Sequence, residues 1–372
     1  MHRVRIVGTG VAGLTLALAL CRAGIEDLEL YSAAAQPRQD PGLLLSPNAT
    51  RILNALGLAD ALLAHSIEPL LMVERAWRSG YLLTQRPLGS FARQRYGAPH
   101  LVVAQSVLED IIRAALRHYD VAIHDNAALP SDSFTSGDHI VVGCDGSQSQ
   151  VRQKMGYPSE AAASGHSLWR ARIDQRAAPR GIDANAVATW IGPRQTFTLW
   201  PAPDGTTLEL MALFPTDAGE LDTAFAAWHS TLGQLIAHSH TAHTQPLLAT
   251  PPVEQRYHGN WVLLGEACQQ LHPYLQQQTA MALEDAWVLA RMLDRWEEEV
   301  PNAFRDYERY RNARVKRLTA QTQSRWQAAT QPSGLRAQQR NLRISLMNRF
   351  LPEMSMQQLD WLYGYDCIAG FE

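Results

Sequence analysis

A chain of 372 residues, 46% hydrophobic and 19% charged, carries enough apolar material for one large or two intimately joined domains and excludes long disorder. Its net charge of -3 leaves no basic footprint for nucleic acid, and four cysteines (Cys21, Cys144, Cys268, Cys367) without any CxxC spacing exclude a disulfide framework or a zinc site. No run reaches the roughly 18 apolar residues of a membrane span, and the amino-terminal apolar stretch is broken by glycines, so a cytoplasmic protein without a membrane span is expected.

The first element organises the rest. Val4 to Val7 reads as a β-branched strand, followed by Gly8, Gly10 and Gly13, an apolar helix from about Val11 to Arg22, and a second strand from Leu28 to Tyr31. In such a turn the first glycine bends the chain, the second lets a pyrophosphate approach the backbone, and the third lets helix and strand pack closely. The phosphates would sit on the amides of Val11, Ala12 and Gly13 at the helix N-terminus. A carboxylate for the ribose is expected at the end of the second strand, but Ser32 stands there, and Glu29 lies inside the strand on the face of Tyr31.

Residues 33–42 read as loop, and a helix is expected over 48–63. A hairpin is expected at Arg78 to Gly80, a strand at Leu101 to Val103 and a helix from Val107 to Tyr119. His139 to Val142 is a strand running into Asp145 and Gly146, a pair that suits either a ligand or an ordinary turn. From His166 to Phe214 aromatic and β-branched residues alternate between turns, which predicts an antiparallel sheet; Trp169, Phe197 and Trp200 are candidates for a pocket wall against a flat ligand. Phe225 to Ala242 looks helical. Trp261 to Leu264 returns to a buried strand, then Gly265, Glu266 and a loop with His272 and Pro273 precede a long helix from Gln278 to Trp296. The basic run Arg311 to Arg317 is expected on the solvated face of a terminal helix covering 303–330, and a last helix is expected near Leu342. The 13 histidines show no HExxH spacing and no hydrolytic triad is recognisable.

Three separated pieces in fixed order, GTGVAGL at Gly8, GCDGSQSQVR at Gly143 and GEACQQLHPYLQQQTAMALEDAWVLA at Gly265, resemble the single-component (group A) flavin monooxygenases of the para-hydroxybenzoate and salicylate hydroxylase type. LLLSPNATRILNALGL and the closing QLDWLYGYD are similar as well, so the resemblance spans essentially the whole chain. It implies an α/β fold: a Rossmann-like FAD-binding domain (1–70, 98–165 and 256–300), an inserted, mainly antiparallel substrate domain (71–97 and 166–255), and a helical region (301–372) packing on both. It also implies FAD as cofactor and NAD(P)H as co-substrate, with O2 delivered through a flavin C4a-hydroperoxide to a small aromatic or flat apolar substrate. Asp145 and Gly146 would serve FAD and nicotinamide binding, Glu266 the ribityl chain, and Pro273, with His272 and Tyr274 beside it, the reactive edge of the ring.

Departures from the family pattern fall on flavin contacts. Ser32 replaces the ribose acid, Gln105 an arginine near the phosphates, Glu266 an aspartate and Gln269 a histidine, while Gln276 and Gln278 occupy a glycine-rich turn. Three readings follow from the residues: an FAD-dependent monooxygenase, a same-fold enzyme with weak FAD affinity supplied with reduced flavin by a flavin reductase, and a flavin-less descendant. A monomer and a homodimer fit equally.

Overall fold

The structure is a computed structural model that describes residues 3–33, 40–134, 139–158, 162–251, 253–297, 299–330 and 334–371. Positions 34–39 of the loop expected after Tyr31 lie outside the described residues.

Strand β1 (Arg3–Val7), helix α1 (Val11–Arg22) and strand β2 (Leu28–Tyr31) follow one another as the spacing predicts, with β1 parallel to β2 and Val7 opposite Tyr31. Helix α1 is apolar nearly all round because it is covered on every side, and it is buried from Val11 to Cys21 apart from Ala12. Next come β3 (Gly42–Leu45), α2 (Pro47–Ala55) and α3 (Ala59–Ala64). The single helix expected over 48–63 is cut at Gly57, whose φ of +74° ends α2 in a left-handed turn.

Strands β4 (Leu71–Ala76) and β5 (Leu82–Pro87) form the expected hairpin. They are followed by α4 (Gly89–Tyr96), β6 (Leu101–Ala104), α5 (Gln105–Leu116), β7 (Ala122–His124), β8 (His139–Gly143) and α6 (Gln150–Lys154). The aromatic-rich stretch supplies β9 (Ala162–Asp174), β10 (Ala186–Gly192), β11 (Gln195–Pro201) and β12 (Thr207–Pro215). The helix expected from Phe225 to Ala242 is instead α7 (Leu221–Phe225), α8 (Ser230–Ala237) and an edge strand β13 (His240–Ala249). Residues 240–246 are exposed on both faces, so their sequence lacks the alternation that marks a half-buried strand. Strands β14 (Tyr257–His258) and β15 (Trp261–Leu263) lead to α9 (Gln278–Trp296), α10 (Val300–Ala329), α11 (Leu335–Phe350), α12 (Pro352–Gln357) and α13 (Asp360–Tyr363).

One six-stranded sheet, ordered β14-β15-β8-β1-β2-β7, is parallel except for β14. A seven-stranded sheet, ordered β13-β9-β12-β11-β10-β4-β5, is antiparallel except where β10 meets β4. The carboxyl ends of β1, β8 and β15 therefore open side by side, where ligands bind in open α/β sheets. Among the described residues no helix is long and apolar enough to cross a membrane, and no group of His, Cys, Asp or Glu is arranged to hold a metal ion.

The basic run on α10 is split: Lys316 and Arg317 face solvent as expected, but its two other cations do not. Arg311 and Arg314 are buried, continuing the inward stripe of Phe304, Tyr307 and Leu318, and they meet the adjacent carboxylates of α9. Arg311 donates to Asp285 Oδ1 at 2.6 Å and Glu284 Oε2 at 2.8 Å, and Arg314 to Glu284 Oε1 at 3.1 Å. Burial alone raises the Glu284 pKa, but the two guanidinium groups outweigh it and hold the carboxyl below its ordinary range.

Candidate active site

At the glycine turn each position has its own reason. Gly8 takes φ +117° against the Cys144 carbonyl, so the chain can pass beside the end of β8; a Cβ on Gly13 would overlap the Gly8 carbonyl oxygen. A Cβ on Gly10 would meet nothing nearer than Glu109 Oε1 at 3.7 Å, so that side faces open space. The first helical bond of α1 runs from Leu14 N–H to the Gly10 carbonyl, and the amides of Val11, Ala12 and Gly13 precede the ladder.

Ser32, at the tip of β2, has an acid beside it from the next strand: its Oγ donates to Asp125 Oδ1 at 3.3 Å, as does Thr9 Oγ1 at 3.3 Å. Glu29 is committed within the strand, to Arg5 at 3.4 Å and to the Tyr31 hydroxyl at 2.9 Å. Gln105 donates to Glu109 at 2.8 Å across one turn of α5.

Asp145 caps its own turn, accepting from the Ser149 hydroxyl and from Gln150 N–H at 2.7 Å, while Gly146 follows at φ +78°. Burial pushes the Asp145 carboxyl up. Gly265 lies where a Cβ would be 3.4 Å from Ala282 and 3.6 Å from Ala12, so this loop touches the starts of both α1 and α9. Its N–H donates to Asp285 at 3.0 Å, and Arg256 joins Asp285 to Gln269, donating to the latter at 2.7 Å. Glu266, half-buried beside Gly265, adds its negative charge near Arg170.

The turn before α9 contains the Pro273–Leu275 3-10 segment, whose N-cap is His272: its Nδ1 accepts from Tyr274 N–H at 3.3 Å and its ring lies 4.6 Å from Trp326. Burial brings the His272 pKa down to about 4. Gln276 sits in the left-handed region at φ +50°, a conformation that favours glycine. The Gln277 amide is buried and donates to Ser46 at 3.0 Å, whereas Gln278 holds the preceding loop, accepting from Leu271 N–H at 2.7 Å and donating to the Gln269 carbonyl at 3.3 Å.

This turn closes one side of a cavity of about 300 Å³. Tyr274, Gln276 and Gln277 form that side, Val187, Thr189 and Ile191 of β10 the sheet side, and Ile344 and Met347 of α11 the cover. Three guanidinium groups, Arg86, Arg325 and Arg340, line it with one carboxylate, Glu74. Arg86 lies 3.6 Å from Glu74, and Arg325 donates one N–H to the Gln358 carbonyl at 2.7 Å while its buried Nε has no acceptor among the described residues. His100 is buried in the same wall, neither ring nitrogen having a partner among the described residues, with its ring 4.7 Å from Tyr363; burial pushes its pKa down to about 3.

Of the residues expected on the pocket wall, Tyr274 is there. Trp169 and Phe197 are not: 6.0 Å apart, they pack on the opposite face of the sheet, in the core beneath α7 and α8 with Leu199, Phe225 and Leu232. Trp200 is on the other face, buried under β3 with its indole N–H on the Gly42 carbonyl at 3.3 Å. Strand parity decides this, since Phe197 and Leu199 share one side and Thr198 and Trp200 the other. His100 and the half-buried Arg325 carry no motif; the only sequence signal for Arg325 is its place one residue before the inward-facing Trp326.

Residues 1–136 match a family model described as an FAD binding domain. A 3-amino-4-hydroxybenzoate 2-monooxygenase of Streptomyces platensis is 31% identical over 98% of this chain and 96% of its own length. The chain belongs to the FAD-dependent aromatic monooxygenases. Among solved structures, Klebsiella pneumoniae HpxO complexed with FAD and uric acid superposes with a TM-score of 0.78 at 23% identity, over 96% of this chain and 96% of that one. A salicylate hydroxylase substrate complex gives 0.77 at 15% identity, over 98% and 96%. Both share the fold.

As a monooxygenase of this family the chain is an enzyme that binds FAD and draws on NAD(P)H and O2, and its residues fit the adenosine half of the cofactor. Gly10 leaves the space a pyrophosphate needs, and three amides stand free of the helical ladder to receive it. When bound, FAD supplies the redox and oxygen chemistry; the protein binds, orients and excludes water.

Proposed function

We propose that this flavoenzyme hydroxylates a small aromatic acid whose ring also carries a hydroxyl or amino group, bound in the cavity beside the Gln276 turn. The observation that carries the reading is the excess of guanidinium groups over carboxylates in a cavity whose remaining lining is neutral, with the buried Arg325 Nε unspent. A carboxylate accepting from Arg325 would be held by a charge-assisted bond, while Val187, Ile191, Ile344 and Met347 press on the ring faces. The neutral imidazole of His100 can both donate to and accept from a ring substituent, and burial raises the pKa of Tyr274, which keeps its phenol protonated as a donor. Relatives named for 3-amino-4-hydroxybenzoate and 6-hydroxynicotinate support a substrate of this class. In this reading Pro273 borders the flavin ring, Asp145 and Gly146 shape the wall on the phosphate side, and His272 holds the turn.

The test is substrate-dependent NAD(P)H oxidation and product formation by the FAD-loaded enzyme across hydroxybenzoates, aminobenzoates and the corresponding neutral phenols. Acids should be preferred, and Arg325→Met should raise KM for them at least tenfold with little change for neutral phenols. Equal turnover of neutral and acidic rings by both proteins would overturn the reading.

A second reading, weak FAD affinity with reduced flavin supplied by a separate reductase, is favoured by the strained Gln276 and by Glu109 facing the Gly10 side of the turn. Purified protein that is colourless and takes up reduced but not oxidised flavin would support it. Four buried thiols outside any disulfide suit the cytoplasm, where NAD(P)H is abundant. Size in solution would separate a monomer from a homodimer.

A further inference from the structure

We infer that Asp125, at the end of β7, is the carboxylate that receives the ribose hydroxyls of the FAD adenosine half, in place of the acid absent from the tip of β2. Strand β7 pairs with β2 in register, Glu29 opposite Ala122 and Tyr31 opposite His124, so the next pair along is Ser32 and Asp125. The missing side chain and the one offered in its place thus stand at the same height on neighbouring strands, about 4.8 Å apart across the sheet.

The side chain also reaches the right point. Its Oδ1 lies 3.3 Å from Ser32 Oγ and 3.3 Å from Thr9 Oγ1, and Thr9 sits between Gly8 and Gly10 in the phosphate turn. From α5 behind it, Arg113 grips both oxygens, at 3.1 Å to Oδ1 and 3.2 Å to Oδ2. That fork fixes the rotamer while leaving the Asp125 side chain 52% exposed. A carboxylate offers about four lone-pair directions; Arg113 takes one on each oxygen, and the Ser32 and Thr9 hydroxyls, both at 3.3 Å, occupy the places that a vicinal diol would take over. The chain turns away directly afterwards, with Asn126 at φ +60°, so the acid stays at the strand tip.

An ion pair with no ligand role would leave flavin affinity untouched. Flavin binding to the purified apoprotein, followed by quenching of flavin fluorescence, distinguishes the two for wild type, Asp125→Ser, Ser32→Glu and the double variant, with FAD and FMN as probes. Asp125→Ser should weaken FAD binding about tenfold or more and leave FMN, which lacks the adenosine, unchanged, with melting temperature close to wild type. Adding Ser32→Glu should restore FAD binding. Unchanged FAD affinity in Asp125→Ser, an equal loss for FMN, or no rescue in the double variant would each overturn the inference.

Discussion

Asn48 Nδ2 donates to Glu284 Oε1 at 2.8 Å and to Gln277 Oε1 at 3.2 Å, joining the start of α2 to the buried carboxylate of α9 and to the turn that borders the cavity. Through Glu284 the same chain of bonds reaches Arg311 and Arg314, and through neighbouring Asp285 it reaches Gly265 and Arg256. One polar core therefore ties together α2, α9, α10, the Gly265 loop and the turn that borders the cavity.

Breaking that core from one side should be costly. Arg311→Met leaves Glu284 and Asp285 short of compensation in the interior, and a loss of about 3 to 5 kcal/mol is expected, read from urea unfolding. Because the Glu284 carboxyl is held below its ordinary range, its contribution is present above the unfolded pKa and disappears as the pH falls through the folded one. The variant should therefore lose part of the steep acid transition of the wild type; an unfolding free energy within about 1 kcal/mol of wild type would count against the assignment.

At the glycine turn, two substitutions should part company. Gly10→Val has room within the protein and should fold normally yet lose bound FAD, because the side chain fills the approach of the pyrophosphate. Gly13→Ala puts a methyl into the Gly8 carbonyl and should fail at the level of folding. Flavin content and melting temperature, measured together, separate a closed ligand site from a broken helix-strand contact.

Gln276→Gly should stabilise the turn by roughly 1 kcal/mol, the usual cost of a side chain in the left-handed region, and should raise FAD affinity. Gln278→Gly should not, because it removes the bonds to Leu271 and Gln269 that hold the loop. Thermal melts and flavin titration of the two single variants check the contrast.

Replacing His100 should exchange binding for stability. The buried imidazole has no partner among the described residues, and burial brings its pKa to about 3, so the unfolded chain takes up a proton that the folded one refuses as pH falls below about 6.5. Wild-type stability should decline over that window, and His100→Leu should flatten the decline and raise Tm at pH 5 while increasing KM for the aromatic substrate. A variant with wild-type KM would remove His100 from the substrate wall.

Local pattern was enough for the fold class. The β1–α1–β2 unit, the hairpin at Arg78 to Gly80 and the aromatic strands all show in short-range periodicity, because each buries one face against its immediate neighbours. Periodicity misled where burial is not apolar. Arg311 and Arg314 hold core positions on α10, and a charge count cannot tell a solvated arginine from one facing two carboxylates on another helix. The exposed strand β13 misled for the opposite reason, having no buried face to write into its sequence.

What the sequence by itself determined is the nucleotide turn, the order of the three motif pieces and the α/β class, since glycine spacing and apolar period are local consequences of backbone sterics. Only the tertiary structure decided which aromatics are core, which arginines and histidine surround the cavity, and that Asp125 stands beside Ser32. Ser32 and Asp125 are 93 positions apart in the chain, and sheet order alone makes them neighbours. No local pattern encodes which strand will lie beside which, because that choice is made by the packing of helices and sheets over the whole chain.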